Sequence, residues 1–250
     1  FCLKKKKKIK KNRTKNILSF MLAFIMVLSV SINVFAAEEQ PVDSRFLPQV
    51  NYVEDNQIAR VPNAIPITVN PYYNKLVVHV GNIGVDSLDS VTVGGSATDY
   101  GTLTPKTHSV PPAIGKDFTW YIPQTKCHME YDVTINIVDG SGTKYKTGHA
   151  ELDYTNEKLA NIGWGAGSFS SRTASLDYHF GKHHSEVGTS NMYDYLIAAD
   201  NCRQDAINNP SKYTITVSSG ATVAHKYKNK TDGRFIILAD SNHVILSFGK

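Results

Sequence analysis

Between Tyr131 and Ile137 the chain alternates without a break: Tyr131, Val133, Ile135 and Ile137 are apolar, while Asp132, Thr134 and Asn136 are polar. Successive side chains on an extended backbone point to opposite faces, so a period of two requires a strand with one buried and one wet side. Asp139-Gly140 follows directly and supplies residues suited to a hairpin turn. Three earlier runs have the same character, "IPITVNPYYNKLVVHVGNIG", "DSVTVGG" and "DFTWYIP", with glycine and proline between them. Short strands at this spacing predict a β-sandwich over residues 62–155, with Trp120 in its core.

The first 36 residues have a different composition. A lysine-rich head is followed by an apolar run from Ile17 to Val30 and then by Val34-Phe35-Ala36. This is the order of a secretory signal peptide, with cleavage expected after Ala36. The apolar run falls short of the roughly 18–20 residues a membrane-spanning helix needs, which disfavours a retained anchor. This segment holds nine of the 27 Lys and Arg and none of the 22 Asp and Glu. After Ala36 there remain 18 basic against 22 acidic side chains, a balance of −4, so the overall basicity points to export and not to a nucleic-acid partner. No later apolar run is long enough to span a bilayer, so no membrane span is expected once the leader is removed, and the protein is expected to be secreted or held at the cell surface.

Residues 37–61 are polar, contain Pro41 and Pro48, and read as an irregular lead-in. Cys127 and Cys202 fall in different predicted domains, and two isolated thiols define no disulfide framework. The stretch "NIGWGAGSFSS", Asn161 to Ser171, is rich in Gly and Ser and marks 156–171 as a linker, with Trp164 and Phe169 available to dock on either neighbour. From 172 to 250 the pattern changes again. Met192, Tyr195, Leu196, Ala199 and Cys202 recur at helical spacing, Ser190 and Asp194 stand near the start, and Pro210 lies beyond the end. Four strand-like runs follow, "KYTITV", "TVAHKYK", "RFIILA" and "HVILSF", joined by short turns. The expectation is a small α+β domain with helices packed on a four-stranded antiparallel sheet.

This last region carries the chemistry. In "LDYHFGKHHSEVGTS" a helix through His183 would place His179, Lys182 and His183 at i, i+3 and i+4, on one face, with His184 directed elsewhere. Two imidazoles form an acid and base pair near neutral pH, and a lysine beside them holds an anionic phosphate. Histidines four apart on a helix also suit zinc, but "HFGKH" lacks the glutamate of HExxH, and only Asp177 and Glu186 stand near as third ligands. A solvated, histidine-rich helix end is the plainest alternative. On the sheet, alternation puts Lys226 and Lys228 on one face of their strand. It also puts His243 and Ser247 together with Ile245, opposite Val244, Leu246 and Phe248 on the expected core side.

The segment "HFGKHHSEVGTSNMYDYLIAA" resembles the opening of small ribonuclease domains of polymorphic toxins, in the barnase-like, EndoU-like and RelE-like group. The match runs through His179, Phe180, Lys182, His183, Glu186, Val187, Gly188 and Tyr195. The resemblance implies cofactor-free, metal-independent cleavage of RNA. His179, Lys182, His183 and Ser247 would be catalytic, Lys226, Lys228 and His243 would hold phosphate or RNA, and an immunity protein would be the cognate partner. "ILSFGK" departs from that pattern, since Ile or Leu replaces an arginine common beside the hydroxyl and the closing Lys-Pro is absent. The order of the strand-like runs over 62–155 resembles the immunoglobulin-like modules of exported bacterial proteins, which implies an immunoglobulin-like β-sandwich there. Two function classes follow: a secreted toxin-like ribonuclease, or a non-enzymatic exported surface or adhesion protein with two binding modules.

Overall fold

The structure is a computed structural model, and it describes residues 42–53, 66–81, 88–109, 115–139, 142–218 and 223–250. The expected signal peptide and most of the 37–61 lead-in lie outside these residues. The described chain is built mostly of antiparallel sheet, with three helices. In order the strands are β1 (Gln49–Val53), β2 (Ile67–Tyr72), β3 (Lys75–Val80), β4 (Leu88–Ala97), β5 (Gly101–Ser109), β6 (Lys116–Trp120), β7 (His128–Asp139) and β8 (Gly142–Asp153). Helices α1 (Asn156–Ile162), α2 (Arg172–His183) and α3 (Met192–Asn208) come next. They precede β9 (Tyr213–Ser218), β10 (Ala224–Asn229), β11 (Phe235–Ala239) and β12 (Ile245–Gly249).

The first eight strands form a five-stranded sheet, β1-β8-β7-β4-β5, and a three-stranded sheet, β2-β3-β6. The alternation in β7 acts as its sequence requires: Tyr131, Val133, Ile135 and Ile137 are all buried. They share one core with Leu76, Val78 and Val80 of β3 and with Phe118 and Trp120 of β6, so both sheets turn their apolar faces to the same interior. Trp120 is a core residue whose indole N–H also donates to the Thr104 carbonyl at 3.0 Å.

The last four strands make a single meander, β12-β11-β10-β9. α3 lies on one face of it. Asn191 caps this helix by accepting from the Asp194 N–H at 2.9 Å, one position later than Ser190. Met192, Tyr195, Leu196, Ala199 and Cys202 are all buried, as their spacing demands. They pack with Ile236, Leu238, Ile245 and Phe248 of the sheet in a second core. That core also takes Phe46, Cys127 and Tyr154 from the N-terminal strands and their flanks. Asp177 of α2 accepts from the Cys127 N–H at 2.8 Å, the Met192 N–H donates to the Gln124 carbonyl at 2.9 Å, and Tyr73 stacks on Tyr193 at 4.4 Å. Residues 44–250 accordingly form one compact unit.

The Gly/Ser-rich stretch behaves differently from a flexible tether. Its first part is α1, closed by Gly163 in the left-handed region at φ 86°. The next residues run beside the outer edge of β12. The Ile245 N–H donates to the Gly163 carbonyl and the Gly165 N–H to the Ile245 carbonyl, both at 2.8 Å. Trp164 between them is fully buried, and its indole N–H donates to Ser175 Oγ at 3.3 Å. Glycine at 165 permits this approach, because a Cβ there would lie 2.7 Å from the Val244 side chain and 2.9 Å from that of Leu246. An edge strand with open backbone groups is thereby covered.

Cys127 and Cys202 are both free and buried. Burial first, and the Asp177 carboxylate second, push the Cys127 thiol upward, and burial pushes Cys202 up to about 11. Thiols held protonated in this way are inert packing groups. No helix among the described residues is long and apolar enough to cross a membrane.

Candidate active site

α2 starts at Ser171, whose hydroxyl accepts from the Ala174 N–H at 3.0 Å, and runs to His183. Leu176 and Phe180 anchor its inner face in the second core. Its outer end packs beside β12, so His179, Lys182 and His183 meet the sheet from the β12 side.

β12 itself departs from simple alternation. Ile237 pairs with Ser247 and Leu238 pairs with Ile245, which leaves Leu246 as the extra residue of a β-bulge. The bulge lets both Ile245 and Phe248, three apart, face the helices with no exposed surface. Ser247 turns with Leu246 to the opposite side. Strict alternation pairs Ile245 with Ser247 and sends Leu246 to the core with Phe248. The bulge reverses both assignments.

The opposite side of the sheet is a cleft of about 440 Å³. His179, Lys182 and His183 line it from α2, Lys226 from β10, Phe235 and Ile237 from β11, Ser247 from β12, and Gly167 to Phe169 from the covering segment. His179 Nδ1 lies 3.2 Å from Ser247 Oγ. The His179 and His183 rings are nearly parallel, at 12° with centroids 6.1 Å apart. His183, only 7% exposed, donates from Nδ1 to Glu186 Oε2 at 2.7 Å. The same carboxylate oxygen accepts from the Lys250 N–H at 3.2 Å, and this ties the end of the chain to α2. The Tyr195 hydroxyl donates to the Phe248 carbonyl at 2.6 Å and lies 3.3 Å from the His179 carbonyl, fixing α2 against β12. Each imidazole therefore has Nδ1 engaged by the protein and Nε2 left for chemistry.

Burial, then the neighbouring His183 and Lys182, push His179 down to about 4, so this imidazole is neutral at pH 7. The hydrogen bond from His183, then that from the Lys250 backbone, hold the Glu186 carboxyl below its ordinary range and keep it ionised. Lys226 Nζ sits 3.9 Å above the Phe235 ring and Lys182 Nζ 5.7 Å from the Tyr178 ring, so both ammonium groups rest on aromatic faces. Phe169 and Tyr178 pack together at 5.0 Å and both meet the edge of His179, forming an aromatic rim.

The structure thus brings His179, Lys182, His183, Ser247 and Lys226 together. Lys228 shares the Lys226 face of β10 but is exposed, opposite Phe235 in the ladder, and does not line the cleft. His243 is also outside it. The strand begins only at Ile245, and His243 occupies the preceding turn at φ 54°, exposed, with its N–H donating to Ala239. His184 points away and stacks on Phe180 at 4.7 Å, its Nδ1 at 2.9 Å from the Thr189 carbonyl.

Sequence reasoning did not find the role of Glu186 as the partner of His183, although its i, i+3 spacing was a usable cue. Phe235 and Gly249 carried no such cue. A Cβ on Gly249 would lie 2.7 Å from His183 Nδ1 and 3.0 Å from Phe235. Gly249→Ala is therefore expected to displace the His183 ring and to lower at least about tenfold any turnover that the cleft supports, a loss set by geometry. An unchanged far-UV spectrum with unchanged turnover would contradict that placement.

Comparison with family models, with curated proteins and with solved structures gives no match to this chain.

Proposed function

We propose that this chain is a secreted toxin-like protein whose C-terminal part is a metal-independent endoribonuclease. The observation that carries the reading is the convergence of His179, His183, Lys182, Lys226 and Ser247 on one cleft. Transesterification of RNA requires a base for the 2'-hydroxyl proton, an acid for the departing 5'-oxygen, and cations for the charge that builds on phosphorus.

In this reading His179 donates Nδ1–H to Ser247 Oγ and its neutral Nε2 takes the 2'-hydroxyl proton. The 2'-oxygen attacks phosphorus, the bond to the 5'-oxygen breaks, and a proton from Nε2 of His183 completes the leaving alcohol. The products are a 2',3'-cyclic phosphate and a free 5'-hydroxyl. Glu186 orients His183 and balances its charge in the protonated form, as a carboxylate does for the imidazole of a catalytic triad. Lys182 and Lys226 neutralise the phosphate. Phe169, Tyr178 and Phe235 offer faces on which unpaired bases stack, which favours single-stranded RNA.

The two N-terminal sheets with their common core support an immunoglobulin-like sandwich acting as a stalk or delivery module. A cognate immunity protein in the producing cell is the partner this activity calls for.

The test uses the compact unit 44–250, because the second core draws on Phe46, Cys127 and Tyr154 and a shorter fragment would lose them. RNA cleavage is measured with and without chelator, beside a His179→Ala, His183→Ala variant. The expected result is chelator-resistant cleavage that the variant loses. Equal behaviour of both proteins would remove the catalytic role and leave an exported binding protein.

A further inference from the structure

A second group of chemically competent side chains lies far in sequence from the cleft, on the outer face of the five-stranded sheet. In β7, His128, Glu130 and Asp132 alternate with the buried Met129, Tyr131 and Val133, so all three project outward. Their partners across the ladder in β8 are Asp153, Glu151 and His149. The result is a patch of two imidazoles and four carboxylates on two adjacent strands.

Within it, a ring nitrogen of His128 and carboxylate oxygens of Glu130 and Glu151 lie within 4.8 Å of one another. Among the described residues no other group brings three such donor atoms so close. Glu130 and Glu151 stand directly opposite each other, an arrangement of like charges that weakens strand pairing.

An independent feature points the same way. A histidine that ligates a metal usually donates its other ring N–H to a carboxylate, which fixes the tautomer and aims the ligating nitrogen. His128 Nδ1 lies 2.6 Å from Asp153 Oδ1. The Asp153 side chain is only 15% exposed, and its other oxygen accepts from Asn51 Nδ2 at 2.7 Å. The orienting carboxylate is itself held, and His128 Nε2 is left 3.0 Å from Glu130 Oε1.

We propose that His128, Glu130 and Glu151 form a binding site for a divalent transition-metal ion of the zinc class, with Asp153 as the residue that orients His128. One imidazole nitrogen and two carboxylate oxygens suit zinc better than magnesium or calcium, which take oxygen alone. Water completes the coordination, because the patch is open to solvent. His149, held by Asp132 at 2.7 Å and 3.5 Å from Glu151, stands next to the site. The site is separate from the cleft chemistry and does not depend on it.

The test is calorimetric titration of zinc chloride into the compact unit 44–250 carrying His179→Ala and His183→Ala, so that cleft histidines cannot contribute. One zinc ion is expected to bind, with magnesium giving no comparable heat. Further substitution of His128→Gln or Glu151→Gln is expected to weaken zinc at least about tenfold, and Asp153→Asn to weaken it about 10- to 100-fold. Thermal unfolding without metal is measured on each variant to show that it is folded. No zinc heat at about 100 μM protein, or a folded His128→Gln variant that binds zinc as before, would overturn the assignment.

Discussion

Under the ribonuclease function proposed above, His179→Ala is expected to lower kcat/KM for RNA cleavage by about 10²- to 10⁴-fold, the range a positioned general base contributes, while the fold remains. The ring contacts Ser247, His183 and the aromatic rim but is only half-buried, so its loss falls chiefly on chemistry. In that proposal the same residue sets the acid side of the pH profile. A base acts only when unprotonated, and His179 is held down to about 4 by burial and by the neighbouring His183 and Lys182. The proposed cleavage is therefore expected to persist below the ordinary histidine range of about 6.5 and to fall as pH drops through about 4. An acid limb near 6.5 would instead mean an exposed, unperturbed base. Stability follows the same sign. The folded value lies below the unfolded one, so the neutral ring's contribution is complete above about 6.5 and is lost progressively as pH falls towards 4.

Trp164→Ala is expected to destabilise the fold by about 3–5 kcal/mol, the usual cost of removing a large aromatic side chain from a core. Trp164 has no exposed surface, packs at 6.0 Å from Tyr195 and 6.2 Å from His179, and donates to Ser175. Its backbone neighbours also carry the hydrogen bonds that close the outer edge of β12. A loss of this size is a large part of the stability of an ordinary domain. Urea unfolding of the variant gives the value directly, and Trp164→Phe should recover part of it. A change below about 1 kcal/mol would show that the segment is dispensable to the fold.

Much of this architecture could be read from the residues because it depends on local periodicity. The two-residue period of β7 and the helical spacing from Met192 to Cys202 each determine which side is buried, and the structure agrees at every one of those positions. The four-stranded meander was legible for a related reason, since short turns leave adjacent strands little choice but to pair. Long-range features were not legible. Phe46 reaches the second core from the far end of the described chain, and no spacing rule announces that. The bulge at Leu246 inverts two assignments in β12, because one inserted residue changes the face of its neighbours. The glycines around Trp164 suggested freedom of the backbone, whereas they permit close approach to an edge strand.

The candidate site divides along the same line. His179, Lys182 and His183 were legible as one helical face, and Lys226 and Ser247 as outward strand positions. His243 was placed on the cleft only by extending β12 two residues too far, across a turn in which it takes a positive φ. Glu186 and Gly249 gain their roles from tertiary contact with His183, which a single sequence does not display.

The central claim is tested most directly by the products formed from a short single-stranded RNA in the presence of chelator. The account predicts a 2',3'-cyclic phosphate and a free 5'-hydroxyl, with no cleavage where a 2'-deoxy nucleotide precedes the scissile phosphate. Cleavage that needs an added metal ion and proceeds past the 2'-deoxy position would contradict it.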